Sequence, residues 1–246
     1  SRVEPIVQLN SAVQSMWYRL NRLFFRVLLA RLLEYRIEGA HHEPRPPFLL
    51  IANHTSALDD PLVAFAVRGQ LVYIGKEELL RPWIVGLWVR SLGSIFIRRG
   101  EPDRAALEAA LRALQQRKAV SVFPEGTRSL DGRVGVFHHG TAWLALRAGV
   151  SVLPLGIAGA HRAMPKGARW PRGGSIVVRI GPPLHVPKAH GRVTRPMMEE
   201  WTERFKQAVI DLLPPDQRSL PVSETRTAET IGAGSAAMGR SRPADA

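Results

Sequence analysis

The sequence predicts an α/β fold in which helices flank a mostly parallel central sheet. First, short apolar segments typical of buried strands alternate with segments of helical periodicity, which is the pattern of parallel α/β architectures. Second, two polar loops, Asn53–Asp60 and Pro124–Arg128, directly follow apolar strands, where sites gather in such sheets. Third, the chain has 246 residues, of which 45% are hydrophobic. This length and hydrophobic content suffice to form the core of one large domain or of two small ones.

Seven segments are predicted to be strands because they are short and either continuously apolar or alternating. They are Tyr35–Glu38, Phe48–Ala52, Leu71–Ile74, Ile95–Ile97, Ala119–Phe123, Ser151–Leu155 and Ser175–Ile180. Helices are predicted from i, i+3, i+4 spacing and from capping residues. They cover residues 13–34, residues 61–67 with Asp60 as the cap and Pro61 as the first helical residue, Glu77–Val89, Arg104–Arg117, Gly140–Ala148, and a last segment that Thr194 caps and Pro214-Pro215 ends.

Composition divides the chain into three parts. Residues 1–34 form an N-terminal amphipathic segment, and residues 35–215 carry the alternating α/β pattern. Residues 216–246 are small and polar without periodicity, so we expect a disordered tail there.

The N-terminal segment is predicted to be an interfacial helix. Four aromatic residues and a basic stripe coincide in it, which favours contact with a membrane surface over packing of the apolar face on the core. No stretch reaches the 18 apolar residues of a spanning helix, and we expect no secretory signal. The apolar stripe is Val13, Met16, Trp17, Leu20, Phe24, Val27 and Leu28, the basic stripe is Arg19, Arg22 and Arg26, and Tyr18 and Phe25 complete the aromatics.

Charge and cysteine content limit the possible partners. The formal net charge is +13, and only five of the 34 basic residues are lysines. This favours an anionic partner such as lipid, an acidic carrier protein or nucleic acid, although a GC-rich genome would also enrich arginine. We see no helix-turn-helix, zinc-finger or RNA-recognition signature, so nucleic acid is disfavoured. The chain has no cysteine, which excludes disulfides and thiolate metal sites.

The first candidate motif is an H-x4-D spacing formed by His54 and Asp59 directly after a buried strand. Histidine is the natural general base near neutral pH. A carboxylate on its other ring nitrogen fixes the tautomer and stabilises the imidazolium. Taken alone the spacing is weak, because a histidine after a strand is commonly an ordinary loop residue.

Two further motifs lie at predicted strand ends. The run Phe123–Ser129 reads FPEGTRS, in which glycine allows close backbone approach and threonine and arginine supply donors suited to phosphate. The run Gly93–Arg99 ends in two arginines that are suited to an anionic head group. Each has an ordinary alternative, a turn with a surface salt bridge or an edge strand with solvated charges.

Together these blocks resemble the PlsC-type glycerolipid acyltransferases, the lysophosphatidic acid acyltransferases. The resemblance covers residues 35–183, so residues 35–215 are interpreted as an acyltransferase domain. It rests on four ordered blocks and one element between the first two. They are N-H-x4-D at Asn53, His54 and Asp59; G-K-x-E-L at Gly75–Leu79; G-x-x-F-I-x-R at Gly93, Phe96, Ile97 and Arg99; FPEGTRS at Phe123–Ser129; and a V-P-like block at Leu153-Pro154-Leu155.

The resemblance implies specific roles. His54 would be the catalytic base and Asp59 its orienting partner. Acyl-CoA or acyl carrier protein would be the donor and a lysophospholipid the acceptor, with no metal and no cofactor, at the cytoplasmic face of a membrane. Residues implied to hold the acceptor phosphate and glycerol are Arg99, Glu125, Gly126, Thr127 and Arg128, with Asn53, Lys76 and His138 as candidates for supporting positions.

The sequence departs from the family pattern after the third block, and it leaves other acceptors open. Many members carry F-K-x-G after the third block, whereas this chain has Phe137-His138-His139-Gly140. Asp60 follows Asp59 and is expected to cap the helix. Acylation of glycerol 3-phosphate or another lyso-lipid, or a non-catalytic lipid-binding role, are alternatives to lysophosphatidate acylation.

Overall fold

The described part of the chain folds as three layers, a seven-stranded sheet with helices on both faces. The structure is a computed structural model and describes residues 11–76, 95–97 and 103–218. The helices are α1 (Ser11–Leu32), α2 (Asp59–Ala66), α3 (Asp103–Gln115), α4 (Gly140–Ala148), α5 (Ala160–Ala163) and α6 (Arg195–Ile210), with 3₁₀ turns at Ala40–His42 and Pro215–Gln217. The strands are β1 (Glu34–Glu38), β2 (Phe48–Ala52), β3 (Leu71–Lys76), β4 (Ile95–Ile97), β5 (Ala119–Val122), β6 (Ser151–Ala158) and β7 (Ser175–Ile180).

The sheet has the order β1-β7-β6-β2-β5-β3-β4. Strands β6, β2, β5, β3 and β4 run parallel to one another, while β7 is antiparallel to β6 and parallel to β1. The predicted fold class, a mostly parallel sheet flanked by helices, is therefore confirmed.

Strand β2 lies at the centre of the core, and all five of its residues are buried. Leu49 and Ile51 pack into the cluster formed with α3, α4 and α6. Phe48 and Leu50 pack into the opposite cluster, formed with α1, α2 and α5. Burial on both faces explains why the sequence of this strand is continuously apolar rather than alternating.

Helix α1 leaves most of its apolar surface exposed. Tyr18 and Leu29 are buried against the domain. The Arg22 guanidinium donates to the carbonyls of Arg68 (2.9 Å) and Phe65 (3.5 Å) at the end of α2. No helix in the described part of the chain is both long and apolar enough to cross a bilayer. The exposed apolar side chains of α1 are Met16, Trp17, Leu20, Leu23, Phe24, Val27, Leu28 and Leu32.

Four predicted elements have the predicted bounds: Phe48–Ala52, Ile95–Ile97, Gly140–Ala148 and Ser175–Ile180. Strand β6 continues to Ala158, beyond the predicted end at Leu155, because Gly156–Ala158 still pair with β7. The predicted helix Glu77–Val89 lies outside the described residues.

The expectation that Asp60 caps α2 is wrong. The helix begins at Asp59, Leu58 precedes it, and no side chain caps it. The reason is local: the first helical hydrogen bond runs from the Leu62 amide to the Leu58 carbonyl (3.1 Å), which makes Leu58 the residue before the helix.

The division into residues 1–34, 35–215 and 216–246 stays a prediction, with one boundary moved. Gln217 is buried, its carbonyl accepts from the Val134 amide (3.2 Å), and its side-chain oxygen accepts from the Gly159 amide (3.2 Å). The folded region therefore extends past residue 215. Residues 219–246 of the predicted tail lie outside the described part.

Candidate active site

The candidate site lies at the edge of the sheet where the parallel strands β2 and β5 end. These strands are neighbours, with Ile51 paired to Val122. His54 follows β2 by two residues and Glu125 follows β5 by three. Because the carboxyl ends of parallel strands meet at one edge, the first and third sequence blocks are brought together.

His54 and Asp59 form a hydrogen-bonded pair. Nδ1 of His54 lies 3.0 Å from Oδ2 of Asp59. The Asp59 side chain is fully buried, whereas that of His54 is 16% exposed. The imidazole also stacks on Phe123, with ring centroids 4.1 Å apart and planes inclined by 17°.

The backbone holds the Asp59 carboxylate in place. The same Oδ2 atom accepts hydrogen bonds from the amides of Thr55 (2.7 Å) and Ser56 (2.8 Å). Because an ionised carboxylate only accepts, Nδ1 of His54 is the donor in the pair. In a neutral imidazole with this tautomer, Nε2 carries no proton, which is the form that a general base requires.

Glu125 lies beneath this pair and is 5% exposed. Oε1 accepts a hydrogen bond from the His54 amide (2.9 Å), and Oε2 accepts one from the Gly135 amide (3.0 Å). Burial raises the pKa of the Glu125 carboxyl to about 7, although the two amide hydrogen bonds and the nearby His54 oppose this shift. The carboxyl group thus joins the His54 loop to the loop that contains Gly135.

The structure favours glycine at both 126 and 135, for different reasons. Gly126 has φ +66°, which favours glycine, and a Cβ there would contact the His138 ring at 3.4 Å. A Cβ at Gly135 would lie 2.9 Å from Oε2 of Glu125. The glycine of the EGTR run and this second glycine therefore permit the close approach of loops around Glu125.

Thr127 and Arg128 continue the loop at the edge of the site. The amide of Ser129 donates to the His54 carbonyl (2.8 Å), so this loop lies directly beside the histidine. The Lys166 ammonium donates to the Arg128 carbonyl (3.1 Å) and lies 3.4 Å from the Thr127 hydroxyl oxygen. The Thr127 hydroxyl, the Lys166 ammonium and the backbone of Arg128 thus belong to one rim.

Asn53 has a structural position beneath the site. Its side chain donates to the Ile157 carbonyl (3.0 Å) and accepts from the Ile157 amide (2.7 Å), and it is fully buried. These bonds fasten the end of β2 to β6, so Asn53 supports the loop that carries His54.

The structure does not describe every predicted site residue. Arg99 lies outside the described residues, and the backbone of Lys76 is described as the last residue of β3, paired with Ile97. His138 is exposed, and its amide donates to the Pro124 carbonyl (2.9 Å). Among the described residues, no three histidine, cysteine or acidic side chains are grouped to hold a metal ion.

Sequence reasoning missed three contributions to this site: the Gly135 amide, the Phe123 stacking and Lys166. Gly135 and Lys166 approach the site from loops that carry no local signal in the sequence. Phe123 belongs to the FPEGTRS block, where its aromatic ring could have been expected beside the histidine.

The histidine–carboxylate pair and the EGTR loop lie in a part of the sequence that is similar to known proteins. The sequence matches the profile of the Acyltransferase family over residues 34–158, about half of the chain. The protein belongs to that family, and the resemblance seen in the sequence is confirmed.

Individual proteins similar to this chain include acyltransferases that act on different lyso-lipids. 1-acyl-sn-glycerol-3-phosphate acyltransferase alpha from Homo sapiens is 34% identical over 156 residues, which cover 62% of this chain and 55% of the relative. Lyso-ornithine lipid O-acyltransferase from Pseudomonas aeruginosa is 35% identical over 143 residues, covering 57% and 54%. The chain therefore matches just over half the length of these curated relatives.

A solved structure shares the fold. The 1-acyl-sn-glycerophosphate acyltransferase PlsC from Thermotoga maritima aligns with a TM-score of 0.68 and 29% identity, covering 84% of each chain.

Proposed function

We propose that this protein is an O-acyltransferase that moves a fatty acyl group from acyl-CoA or acyl carrier protein to the free hydroxyl of lysophosphatidate (1-acylglycerol 3-phosphate). The observation that carries the proposal is the His54–Asp59 pair after β2, in which Nδ1 of His54 lies 3.0 Å from Oδ2 of Asp59, so that Nε2 is not engaged by this carboxylate.

In the proposed reaction, Nε2 of His54 takes the proton of the acceptor hydroxyl as its oxygen attacks the thioester carbonyl. The C–S bond then breaks, and the thiolate leaves with the proton that His54 returns. Asp59 holds the imidazole in one tautomer and stabilises the transient imidazolium. A new ester and a free thiol are the products, and no covalent intermediate on the protein is needed.

The rim around Thr127 and Arg128 supports a phosphorylated acceptor. Arginine and threonine donate to phosphate oxygens in charge-assisted hydrogen bonds. Arg99 is proposed to join them. The name of the human relative specifies 1-acylglycerol 3-phosphate as its acceptor, which agrees with this assignment.

The proposed reaction uses the donor as a substrate and takes no cofactor. A thioester carbonyl is already activated toward attack by an oxygen nucleophile, so a positioned base is sufficient chemistry. The net charge of +13 suits the phosphates of CoA, the acidic surface of a carrier protein and anionic lipid alike.

We also propose that the protein acts as a peripheral enzyme at the cytoplasmic face of a membrane. The support is the exposed apolar stripe of α1, where Leu23 is 59% exposed, together with the basic residues on the same helix. Trp170, which is 80% exposed between Arg169 and Arg172, adds an aromatic side chain suited to the interface.

We expect Leu20→Glu combined with Leu23→Glu to weaken binding to vesicles of phosphatidylcholine and phosphatidylglycerol by about 10²-fold. Burial of each leucine contributes roughly 1.5–3 kcal/mol, and the new carboxylates are repelled by anionic lipid. Co-sedimentation with the vesicles measures the effect.

The matched control is Gln115→Glu with Gln116→Glu, which adds the same charge at exposed positions at the end of α3, on the opposite face of the sheet. Equal binding of both double variants would contradict a specific role for α1.

A second candidate acceptor is a lyso-ornithine lipid. The relative from Pseudomonas aeruginosa that is named for this substrate is as similar to the chain as the human relative is. The head group of an ornithine lipid lacks a phosphate. Comparing the rates of acylation of this lipid and of lysophosphatidate therefore tests directly whether the site binds a phosphate. Glycerol 3-phosphate, another lyso-lipid and a non-catalytic lipid-binding role are the remaining alternatives.

Thiol release in the presence of different acceptors tests the proposal. The chain has no cysteine, so a thiol reagent detects only released CoA. With palmitoyl-CoA we expect release that depends on lysophosphatidate and is slower with glycerol 3-phosphate or a lyso-ornithine lipid. Faster release with the ornithine lipid would replace the proposed acceptor, and no release with any acceptor or with acyl carrier protein as donor would support the non-catalytic alternative.

A further inference from the structure

Lys166 reaches the rim of the site from a distant part of the chain. It lies in the connection between α5 and β7. Its ammonium nitrogen is 3.1 Å from the Arg128 carbonyl oxygen and 3.4 Å from the Thr127 hydroxyl oxygen. Both partners belong to the FPEGTRS block, 38 and 39 residues away in sequence.

The segment that carries Lys166 is fastened to the catalytic loop. Ser56, which is fully buried, donates its hydroxyl to the Met164 carbonyl (2.7 Å). Ser56 also donates its amide to Asp59. The backbone two residues before Lys166 is therefore tied to the loop of the histidine–carboxylate pair, and the exposed Lys166 side chain contacts Thr127 and Arg128.

The charge of Lys166 is not neutralised within the described part of the chain. No carboxylate there lies within 4 Å of its ammonium group, and its two partners are uncharged oxygen atoms. An ammonium group has three donors, so at least one is available to a ligand. By contrast, Arg162 in the neighbouring helix α5 is paired with Asp216 at 3.1 Å.

We propose that Lys166 binds the phosphate of the acceptor and makes the site selective for a phosphorylated lyso-lipid. This inference rests on the proposed function and adds the residue that determines its specificity. The phosphate lies beside the Thr127–Arg128 run, accepts a hydrogen bond from the ammonium donor of Lys166 that the run does not use, and places the acceptor hydroxyl toward His54.

The test compares Lys166→Ala and Lys166→Arg with the wild type. The matched control is Arg169→Ala, which removes one exposed positive charge three residues away in the same connection. Calorimetry with six-carbon lysophosphatidate and with six-carbon monoacylglycerol, which differ only in the phosphate, measures binding without any need for turnover.

We expect Lys166→Ala to weaken binding of the lysophosphatidate by about 10- to 100-fold, the range for one hydrogen bond to a charged group. Binding of the monoacylglycerol should not change, Lys166→Arg should retain most of the affinity, and Arg169→Ala should bind both ligands as the wild type does. In turnover, Lys166→Ala should raise KM for lysophosphatidate more than it lowers kcat.

Three results would overturn the inference: equal loss with Lys166→Ala and Arg169→Ala, equal loss for both ligands, or binding of lysophosphatidate by Lys166→Ala that equals that of the wild type. Failure of the proposed function is distinguishable. Phosphate-selective binding that depends on Lys166 in a protein that releases no CoA would leave the inference standing and remove the catalytic proposal. Normal turnover and normal binding in Lys166→Ala would remove the inference and leave the catalytic proposal standing.

Discussion

Replacing His54 by alanine is expected to lower kcat for acyl transfer by at least about 10²-fold, because positioned general base catalysis contributes about that much or more. Binding of the donor and acceptor should change little, since the Thr127–Arg128 run is unaltered. Initial rates of CoA release over a range of acceptor concentrations separate kcat from KM.

Asp59→Asn supplies the companion measurement. The amide can still accept from the amides of Thr55 and Ser56 with its oxygen, but it then presents no charge to the imidazolium that forms in the reaction. We expect kcat to fall without loss of the fold, checked by thermal unfolding.

A His54→Ala protein with kcat within a few-fold of the wild type would contradict the role of His54 as the general base.

Glu125→Gln is expected to have the second largest effect, a fall in kcat of about 10- to 100-fold with little change in KM for the acceptor. A glutamine has only one oxygen, so either the His54 amide or the Gly135 amide loses its acceptor and faces an NH2 group. An unsatisfied buried donor costs roughly 1–3 kcal/mol, and relief of that cost would move the His54 loop.

Kinetics distinguish this positioning role from direct contact with the acceptor. The resemblance implies instead that Glu125 holds the acceptor; in that case the variant would chiefly raise KM, which would contradict the positioning role. Gly135→Ala is an independent second variant, since its new Cβ would lie 2.9 Å from Oε2 and displace the same carboxylate. We expect it to lower kcat in the same direction.

The raised pKa of Glu125 makes the free energy of unfolding depend on pH. With a folded pKa of about 7 against an ordinary value of 4.5, the folded protein holds a proton that the unfolded chain releases between these values. This contribution to stability is present below pH 4.5 and is lost as the pH rises through 7. The free energy of unfolding of the wild type relative to Glu125→Gln should therefore fall across that range in denaturant titrations.

The fold was predictable because its central strands are buried on both faces. A strand such as Phe48–Ala52 is continuously apolar and bounded by a loop, so both its type and its bounds can be read from the residues. The end of β6 could not, because Gly156 interrupts the apolar pattern and its pairing with β7 depends on a strand that comes later in the chain.

The candidate site was predictable where its partners are close in sequence or share a recognised block. His54 and Asp59 are five residues apart, and a local turn suffices to bring them together. The partners of Glu125 were not predictable, because backbone amides have no sequence signature. The approach of Lys166 depends on the fold of the α5–β7 connection, which local patterns do not reveal.

Product formation is the most direct test of the central claim that His54 transfers an acyl chain to lysophosphatidate. Wild type and His54→Ala would be incubated with lysophosphatidate and ¹³C-labelled palmitoyl-CoA, and phosphatidate would be measured by mass spectrometry. We predict phosphatidate that carries one labelled chain from the wild type and a rate at least about 10²-fold lower from His54→Ala. Equal labelled product from both proteins, or CoA release without labelled phosphatidate, would contradict the claim.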